Sequence, residues 1–390
     1  MIYLDNNSTT PLHPEVKNKI VSILDLYGNP SSAHQIGREA KSYIDEARKT
    51  IADFFKCLPE EIIFTASGSE ANNTILKSAS SCCSKHCSMG GKKHIISSVI
   101  EHPSVLNTLR CLEGENTEIT YLPVDKFGMI SKESLLAAIR PETSLISIMF
   151  ANNEIGTIQP IAEFASIAKE KGIQFHTDAV QAVGKVDIDL STLPIDFMSV
   201  SGHKIYAPKG IGLLFRRKGT HENICPLITG GHQEDSLRAG TENTIGIIAL
   251  GEAFRQLKKE MNTEIPHLIN LRNRLETGIK ENISHVRLNG HPEKRLPGTL
   301  NLSFDAIEGE SILLRLDLMG IAVSTGSACS SGSLDPSHVI MALGVEAEQA
   351  HGSIRFSIGR ENTIDDIEYT IKTVKEVVET LRRISPIKLK

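Results

Sequence analysis

Several features that would place this 390-residue chain in a specialised class are missing from its sequence. No apolar run approaches the ~20 residues that a membrane-spanning helix needs. Positive charge is not in surplus, because the formal net charge is -5. A protein that binds nucleic acid or an anionic membrane usually presents a basic surface. We therefore expect neither a membrane nor a nucleic acid as a partner.

Targeting signals and paired cysteines are also lacking. The first residues, MIYLDNNSTTPL, have neither the basic and apolar regions of a secretory signal nor the Arg- and Ser-rich character of a transit peptide. The seven cysteines are odd in number and occur in a large chain. These features predict a cytoplasmic protein with most of its thiols reduced, rather than a secreted protein built on disulfides.

What the sequence does contain is typical of a soluble globular protein, with 40% hydrophobic and 23% charged residues. Short β-rich segments alternate with amphipathic ones, of which the clearest is 32–55, with apolar residues every three or four positions. The predicted strands are 61–65, 94–99, 119–124, 144–151, 174–177, 197–201 and 210–215. Such alternation predicts an α/β fold, with a mostly parallel central sheet flanked by helices.

The pattern changes after about residue 257. The segments that follow are predicted as helices at 264–279 and 309–319, and as short strands at 299–304, 321–324 and 353–358. A long terminal helix comes last, with Thr363 and Asp366 as its capping pair. This part of the chain predicts a second, smaller α+β domain.

Two charged residues lie where predicted strands end. Lys204 follows strand 197–201 in SVSGHK, and Asp178 follows strand 174–177 in HTDAVQ. Ligands bind at the carboxyl ends of strands in open α/β sheets. Lys204 is therefore a candidate Schiff-base amine, and Asp178 is a candidate partner for a pyridinium nitrogen. Taken singly, each also fits a plainer role, as a surface lysine or a helix-capping aspartate.

Polar residues after other strands extend this pattern. The segment TASGSEA, residues 65–71, lies between a strand and a helix, and its small residues suit a phosphate at the helix N-terminus. His102, in EHPS, is a candidate to stack on a planar cofactor or to cap a helix. Asn153, in ANNEIG, is a candidate donor to a phenolate oxygen or a simple turn residue.

The smaller predicted domain contributes a thiol and a cation. Cys329 lies in TGSACSSGS, whose small polar flanks would expose the thiol and let it move. Arg355, in SIRFS, lies inside a predicted strand. An inward-facing arginine needs an anionic partner, and a substrate carboxylate would serve through paired hydrogen bonds. An outward-facing arginine on an edge strand is the alternative.

Eight segments between Tyr3 and about Arg360 are long, specific and in register: YLDNNSTTPL, GNPSSAHQIGREAK, ANNEIGTIQP, HTDAVQAVGK, SVSGHKIYAPKGIG, RAGTENT, STGSACSSGS and SIRFSIGR. Together they resemble the cysteine desulfurases of the NifS/IscS group. The resemblance implies the aspartate-aminotransferase-type fold (fold type I) of pyridoxal 5′-phosphate (PLP) enzymes, and a homodimer. It also implies a large PLP-binding domain at residues 13–260 and a small domain, residues 1–12 and 261–390, that carries the catalytic cysteine loop.

The resemblance further implies a role for each matching position. Lys204 would bind PLP, Cys329 would accept sulfur, and His102 would act beside the ring and stack on it. The remaining cofactor contacts would come from Asp178 at the pyridinium nitrogen, Gln181 at the phenolate oxygen and, at the phosphate, Gly68, Ser69, Ser201, His203 and the partner subunit's Thr241. The substrate carboxylate would be bound by Asn153 and Arg355.

The implied reaction converts L-cysteine to L-alanine and leaves the sulfur as a persulfide on Cys329. The long stretch between Cys329 and His338 is similar to that of members that supply iron–sulfur scaffold proteins. Nitrogenase maturation and tRNA thiolation are other destinations for the sulfur. The alternatives are a selenocysteine lyase, a PLP aminotransferase, a thiol hydrolase that uses Cys329 with His338 and no PLP, and a non-catalytic sulfur carrier.

The sequence departs from the family pattern at two places. Position 69 is Ser where many relatives have Thr, which keeps the hydroxyl group. Residues 78–93 are longer and richer in cysteine than the family pattern. The spacing of Cys82, Cys83, His86 and Cys87 fits no usual zinc site, so we predict a flexible loop there and no metal.

Overall fold

A computed structural model describes residues 1–80, 93–114, 116–220, 224–325 and 336–386. Cys329 lies outside the described residues, and so do Cys82, Cys83, His86 and Cys87. The predictions made for these five residues are therefore left as they stand.

The predicted strands are found close to their expected positions. The strands of the described residues are β1 (Ile2–Tyr3), β2 (Ile62–Thr65), β3 (Lys93–Ser98), β4 (Thr117–Leu122), β5 (Thr143–Ser147), β6 (Gln174–Asp178), β7 (Phe197–Ser201), β8 (Gly212–Arg216), β9 (Val286–Asn289), β10 (Thr299–Phe304), β11 (Ile321–Ala322) and β12 (Ser353–Ser357). Two of them, β1 and β9, were not predicted.

The central sheet has seven strands in the order β2-β8-β7-β6-β5-β3-β4. The five strands from β7 to β4 are parallel to their neighbours, whereas β8 pairs antiparallel with both β7 and β2. The prediction of an α/β fold with a mostly parallel sheet is confirmed. A separate three-stranded antiparallel sheet has the order β12-β10-β9, and β1 pairs with β11.

The helices are α1 (Pro14–Ser22), α2 (Gln35–Phe55), α3 (Gly68–Ala79), α4 (Pro103–Leu112), α5 (Lys132–Ala138), α6 (Ile161–Glu170), α7 (Thr244–Asn282), α8 (Gly309–Leu318), α9 (His338–Ala342), α10 (Ala347–His351) and α11 (Ile364–Ile384). Their ends follow from capping. Helix α2 begins after His34, whose ring nitrogen accepts a hydrogen bond from the Gly37 amide. The predicted capping pair of α11 is confirmed, because Thr363 and Asp366 bond reciprocally to each other's backbone amides.

The long helix α7 joins two separate hydrophobic cores. Its first half buries residues such as Leu250 and Phe254 in the core that surrounds the central sheet. Its second half buries Leu271 and Leu275 in a core shared with the three-stranded sheet and α11. Pro266 lies within the helix between these two halves. The proposed domain boundary at residue 260 falls inside this helix and stays a prediction.

Two further observations bear on the sequence predictions. None of the helices within the described ranges is long and apolar enough to cross a membrane. Cys57 and Cys111 carry free thiols, whereas Cys225 is disulfide-bonded, which the sequence did not lead us to expect.

Candidate active site

One cavity of about 410 Å³ gathers most of the predicted site residues at the carboxyl ends of β6 and β7. The predicted residues that line it are Gly68, Ser69, His102, Asn153, Asp178, Gln181, Ser201, His203, Lys204 and Arg355. Thr241 is exposed and lies outside this lining, so its role toward a partner subunit stays a prediction.

The N-terminus of α3 forms one end of the cavity. Ser67 caps the helix, its Oγ accepting from the Glu70 amide at 3.1 Å, and Gly68 and Ser69 follow in the first turn. A side chain at position 68 would bring its Cβ within 2.6 Å of a Val180 methyl carbon, so only glycine fits there. A helix N-terminus lined by small residues offers amide donors and a favourable dipole to a phosphate.

A chain of hydrogen bonds links His102 to Asp178. The Asp178 carboxylate accepts from Asn72 Nδ2 at 2.7 Å and from the Val180 amide at 3.0 Å. Asn72 Nδ2 also donates to Ser104 Oγ at 2.9 Å, and that hydroxyl lies 2.8 Å from His102 Nδ1. These bonds fix the His102 ring, at the start of α4, relative to the Asp178 carboxylate at the end of β6, through Asn72 on α3.

Lys204 lies in a 3₁₀ turn, Gly202–Lys204, directly after β7. Its Nζ donates to the carbonyl oxygens of Asn7 and Ser8, each at 2.6 Å. These two residues belong to the N-terminal segment, which thus passes beside the amine. The short turn after a buried strand places the amine in the cavity, as the sequence predicts.

Arg355 faces inward although β12 is an edge strand of its sheet. The residue is 2% exposed. Its Nη2 donates to Asp5 Oδ1 and Ser8 Oγ, both at 2.8 Å, and its Nη1 donates to the Asn153 carbonyl at 3.1 Å. Its buried Nε has no hydrogen-bond partner among the described residues. Arg355 also lines the cavity, so its positive charge is available to an anion there.

Burial sets the charge of the histidines in the cavity. It lowers the pKa of His203 to about 4, with help from Lys204 and Lys209. It also lowers the pKa of His102, although Asp178 opposes the shift. Both rings are therefore neutral at pH 7, and a neutral His102 suits stacking on a planar ring. Burial raises the pKa of neighbouring Glu101 to about 8, so this carboxyl group is mainly protonated at pH 7.

Among the polar residues of the cavity, Asn7, Ser8, Asn72 and Ser104 were not named in the sequence analysis. Asn72 lies one turn beyond Gly68 on α3, so helical spacing was a usable signal for it. Ser104 lies two residues after His102 in the same motif. Asn7 and Ser8 contact Lys204 through their backbone carbonyls, which residue type does not reveal.

A larger surface cavity of about 690 Å³ lies around Arg48 and Glu234, and none of the predicted site residues lines it. The smaller cavity is therefore the candidate site, because it alone of the two combines an amine, a carboxylate, an imidazole and an anion-binding helix terminus. This set of donors and acceptors fits PLP, with its aldehyde, ring nitrogen and phosphate.

Comparison with known proteins agrees with this geometry. The model of the aminotransferase class-V family matches residues 2–370. The cysteine desulfurase IscS of Dictyoglomus turgidum is 50% identical over 388 residues, which cover 99% of this chain and 97% of the relative. The cysteine desulfurase IscS of Methanosarcina thermophila is 49% identical, with 99% of this chain and 94% of the relative covered.

Solved structures extend the likeness to three dimensions. A NifS-like protein has a TM-score of 0.89 and 36% identity, with 97% of this chain and 100% of that chain covered. A NifS-like protein from Rickettsia africae has a TM-score of 0.85 and 34% identity, over 97% and 99% of the two chains. The predicted fold type I is thereby confirmed, and the chain belongs to the aminotransferase class-V family of PLP-dependent enzymes.

Proposed function

We propose that this protein is a cysteine desulfurase, which converts L-cysteine to L-alanine and retains the sulfur as a persulfide on Cys329. The observation that carries the proposal is the meeting of Lys204, Asp178 and Arg355 in one cavity. These are an amine for a Schiff base, a carboxylate for a pyridinium nitrogen and a cation for an α-carboxylate. Relatives that bear the name cysteine desulfurase align over nearly the whole chain, which supports the same reaction.

When bound, PLP supplies an electron sink that stabilises negative charge at the substrate Cα. We propose that the Asp178 carboxylate holds a proton on the ring nitrogen, a task for which its own hydrogen bonds from Asn72 and Val180 orient it. Gln181 would donate to the phenolate oxygen, and His102 would cover the ring face. Gly68, Ser69, Ser201 and His203 would hold the phosphate at the end of the cavity that α3 forms.

Lys204 would act as the base of the site. Its Nζ lies in the cavity and is positioned by the Asn7 and Ser8 carbonyls. We propose that it takes the Cα proton of the substrate and returns a proton within the cavity. A single positioned amine can perform both transfers because the cavity lining fixes its reach.

The substrate carboxylate would bind between Arg355 and Asn153. Arg355 lines the cavity, and its guanidinium would bind the carboxylate through charge-assisted hydrogen bonds. The Asn153 carbonyl already accepts from Arg355 and from Asn7 Nδ2 at 3.1 Å. This leaves the Asn153 side chain, which lines the cavity, to complete the contact.

Cys329 is proposed as the sulfur acceptor. The chain on either side of its segment is attached next to the carboxylate site. Ser324 and Arg355 exchange two backbone hydrogen bonds, and Ser337 Oγ donates to Glu154 Oε2 at 2.5 Å. The Cys329 thiolate would attack the substrate Sγ and form the S–S bond while the substrate C–S bond breaks. The carbon keeps the bonding electrons, gains a proton and leaves as alanine.

The partners and location are proposed at the same level. We propose a homodimer, in which the partner subunit's Thr241 reaches the phosphate, and an iron–sulfur scaffold or another sulfur-acceptor protein as the destination of the sulfur. The cytoplasmic location stays a prediction, since a relative from Arthroderma benhamiae, 46% identical, is named as mitochondrial.

The proposal is tested by loading the protein with PLP, adding L-cysteine and a thiol reductant, and measuring alanine and sulfide. We expect the two products in equal amounts and an absorbance band of bound cofactor. A protein that takes up no PLP, or that consumes cysteine without forming alanine, would contradict the proposal.

A further inference from the structure

A second lysine lies next to the candidate site and has no part in the proposed reaction. Lys185 is four residues after Gln181, in the segment that follows β6, and its Nζ lies 3.0 Å from Gln181 Oε1 and 3.4 Å from Asn7 Oδ1. We propose that Lys185 is a positioning residue that fixes the Gln181 amide so that its Nε2 faces the cofactor. This inference rests on the proposed function, because it assigns the same cavity to PLP.

The hydrogen bonds allow only one orientation of the Gln181 amide. Its Nε2 donates to the Asn7 carbonyl oxygen at 2.9 Å, which can only accept, and its Oε1 faces Lys185 Nζ, which can donate whether or not it is protonated. Turning the amide over would place Gln181 Oε1 against the Asn7 carbonyl oxygen, two acceptors together, and would set its Nε2 against Lys185 Nζ, which is a second donor when protonated. The donor end of Gln181 is therefore held on the side of the cavity, and the acceptor end is held away from it.

The same contacts join Gln181 to the lysine that would bind the cofactor. The Asn7 carbonyl oxygen accepts from both Gln181 Nε2 and Lys204 Nζ. The two nitrogens thus share one acceptor and lie side by side in the cavity lining. A donor beside Lys204 is where the phenolate oxygen of a Lys204-linked PLP needs a partner, so the orientation of Gln181 bears directly on the cofactor.

The position of the Lys185 amine is costly for the fold, which argues against an incidental placement. Burial, together with the positive charges of Lys204 and Arg355, lowers the pKa of Lys185 to about 7, although Glu264 opposes the shift. No carboxylate of the described residues forms an ion pair with it at the distances that other lysines show. A lysine has a long flexible stem that usually carries its charge to water. Here the amine instead lies against Gln181 Oε1, to which it can donate in either protonation state.

Four variants separate this role from a purely structural one. Lys185→Met removes the donor and the charge while keeping the length of the side chain, and Lys185→Arg keeps both. Gln181→Ala removes the group through which Lys185 would act. Lys171→Met, at the exposed C-terminal end of α6, is the matched control for loss of a lysine outside the cavity. Each protein is measured for PLP affinity by absorbance titration and for the pH midpoint of the bound-cofactor band.

We expect Lys185→Met to bind PLP about tenfold more weakly, because Gln181 Oε1 loses its donor and the amide is free to turn. The pH midpoint should rise by about one unit, since the loaded Lys204 nitrogen loses a nearby positive charge and the phenolate loses its donor. Lys185→Arg should restore both values to within about threefold and half a unit. The double variant with Gln181→Ala should be no weaker than Gln181→Ala alone.

Unchanged affinity and midpoint in Lys185→Met, with only a lower melting temperature, would show a structural role and overturn the inference. If Lys185→Met does not fold, Lys185→Gln replaces it, because an amide keeps a donor to Gln181 without the charge. Lys185→Gln should keep the wild-type affinity for PLP but still raise the pH midpoint of the cofactor band. A midpoint equal to that of the wild type would contradict the inference. Failure of the wild type to take up PLP would instead contradict the proposed function.

Discussion

The two sides of the candidate cavity are built in different ways. On the cofactor side, Asp178 ends β6, Lys204 follows β7, and α3 begins just after β2. All three strands belong to the central sheet. On the substrate side, Arg355 comes from the three-stranded sheet and is held by Asp5 and Ser8, about 350 positions away in sequence. Local strand-to-helix order sets where the cofactor-side residues lie, although Asn7 and Ser8 also contact Lys204, whereas the substrate side depends entirely on contacts between distant segments. Damage to the two sides should have different kinetic signatures.

The largest effect should come from Lys204→Ala on the cofactor side. Without the amine, no Schiff base with PLP can form and no base is left to move the Cα proton. We expect the bound-cofactor absorbance band to vanish after dialysis and alanine formation to fall to background. Retention of the band at wild-type intensity would show that another amine carries the cofactor.

Arg355→Ala should damage the substrate side and leave the cofactor side intact. Loss of charge-assisted bonds to the substrate carboxylate costs about 2 kcal/mol, which corresponds to a KM for cysteine about 30-fold higher. The cofactor band should match the wild type. A change in the band together with an unchanged KM would mean that the two sides are not separable, and would break the comparison.

Asp5→Asn should have a smaller effect of the same kind. The Asp5 carboxylate is one of three groups that hold the Arg355 guanidinium. The substitution removes the charge of Asp5, but the hydrogen bonds from Arg355 to Ser8 and Asn153 remain. We expect KM for cysteine to rise by about threefold to fivefold in steady-state kinetics, with the cofactor band unchanged. An effect as large as that of Arg355→Ala would show that Asp5 does more than position the arginine.

The smallest effect on turnover should follow Glu101→Gln. This variant instead tests the cofactor side through the pH dependence of thermal stability. Glu101 is fully buried, and its carboxylate accepts from Ser98 Oγ at 2.6 Å and from the Met149 amide. Its pKa is raised from 4.5 to about 8, so the folded state holds a proton that the unfolded state releases.

The contribution of Glu101 to stability is thus fully present below about pH 4.5 and is lost as the pH rises to about 8. The side-chain amide that Glu101→Gln introduces cannot release a proton. The melting temperature of Glu101→Gln should therefore rise relative to that of the wild type as the pH increases across this window. A difference between the two proteins that does not change with pH would contradict the assigned protonation. Turnover should change by less than about threefold.

The cofactor side was also the part that the sequence predicted best. Periodicity placed β6 and β7, and the rule that ligands bind at strand ends made Asp178 and Lys204 candidates, to which the family resemblance then gave roles. The inward orientation of Arg355 could not be settled from SIRFS alone, because it depends on Asp5 and Ser8 covering an edge strand. Asn7 escaped notice because it acts on Lys204 and Gln181 through a backbone carbonyl. Residue type carries no signal for such contacts.

The central claim is that this cavity delivers sulfur from L-cysteine to one thiol, and Cys329→Ser tests it most directly. Wild-type and variant proteins would be loaded with PLP and given L-cysteine, and the intact protein mass and the cofactor band would be recorded together. We predict that the wild type gains a sulfur atom on the peptide containing Cys329. The variant should show the wild-type band and its response to cysteine, yet gain no sulfur. Full release of alanine and sulfide by Cys329→Ser would contradict the account.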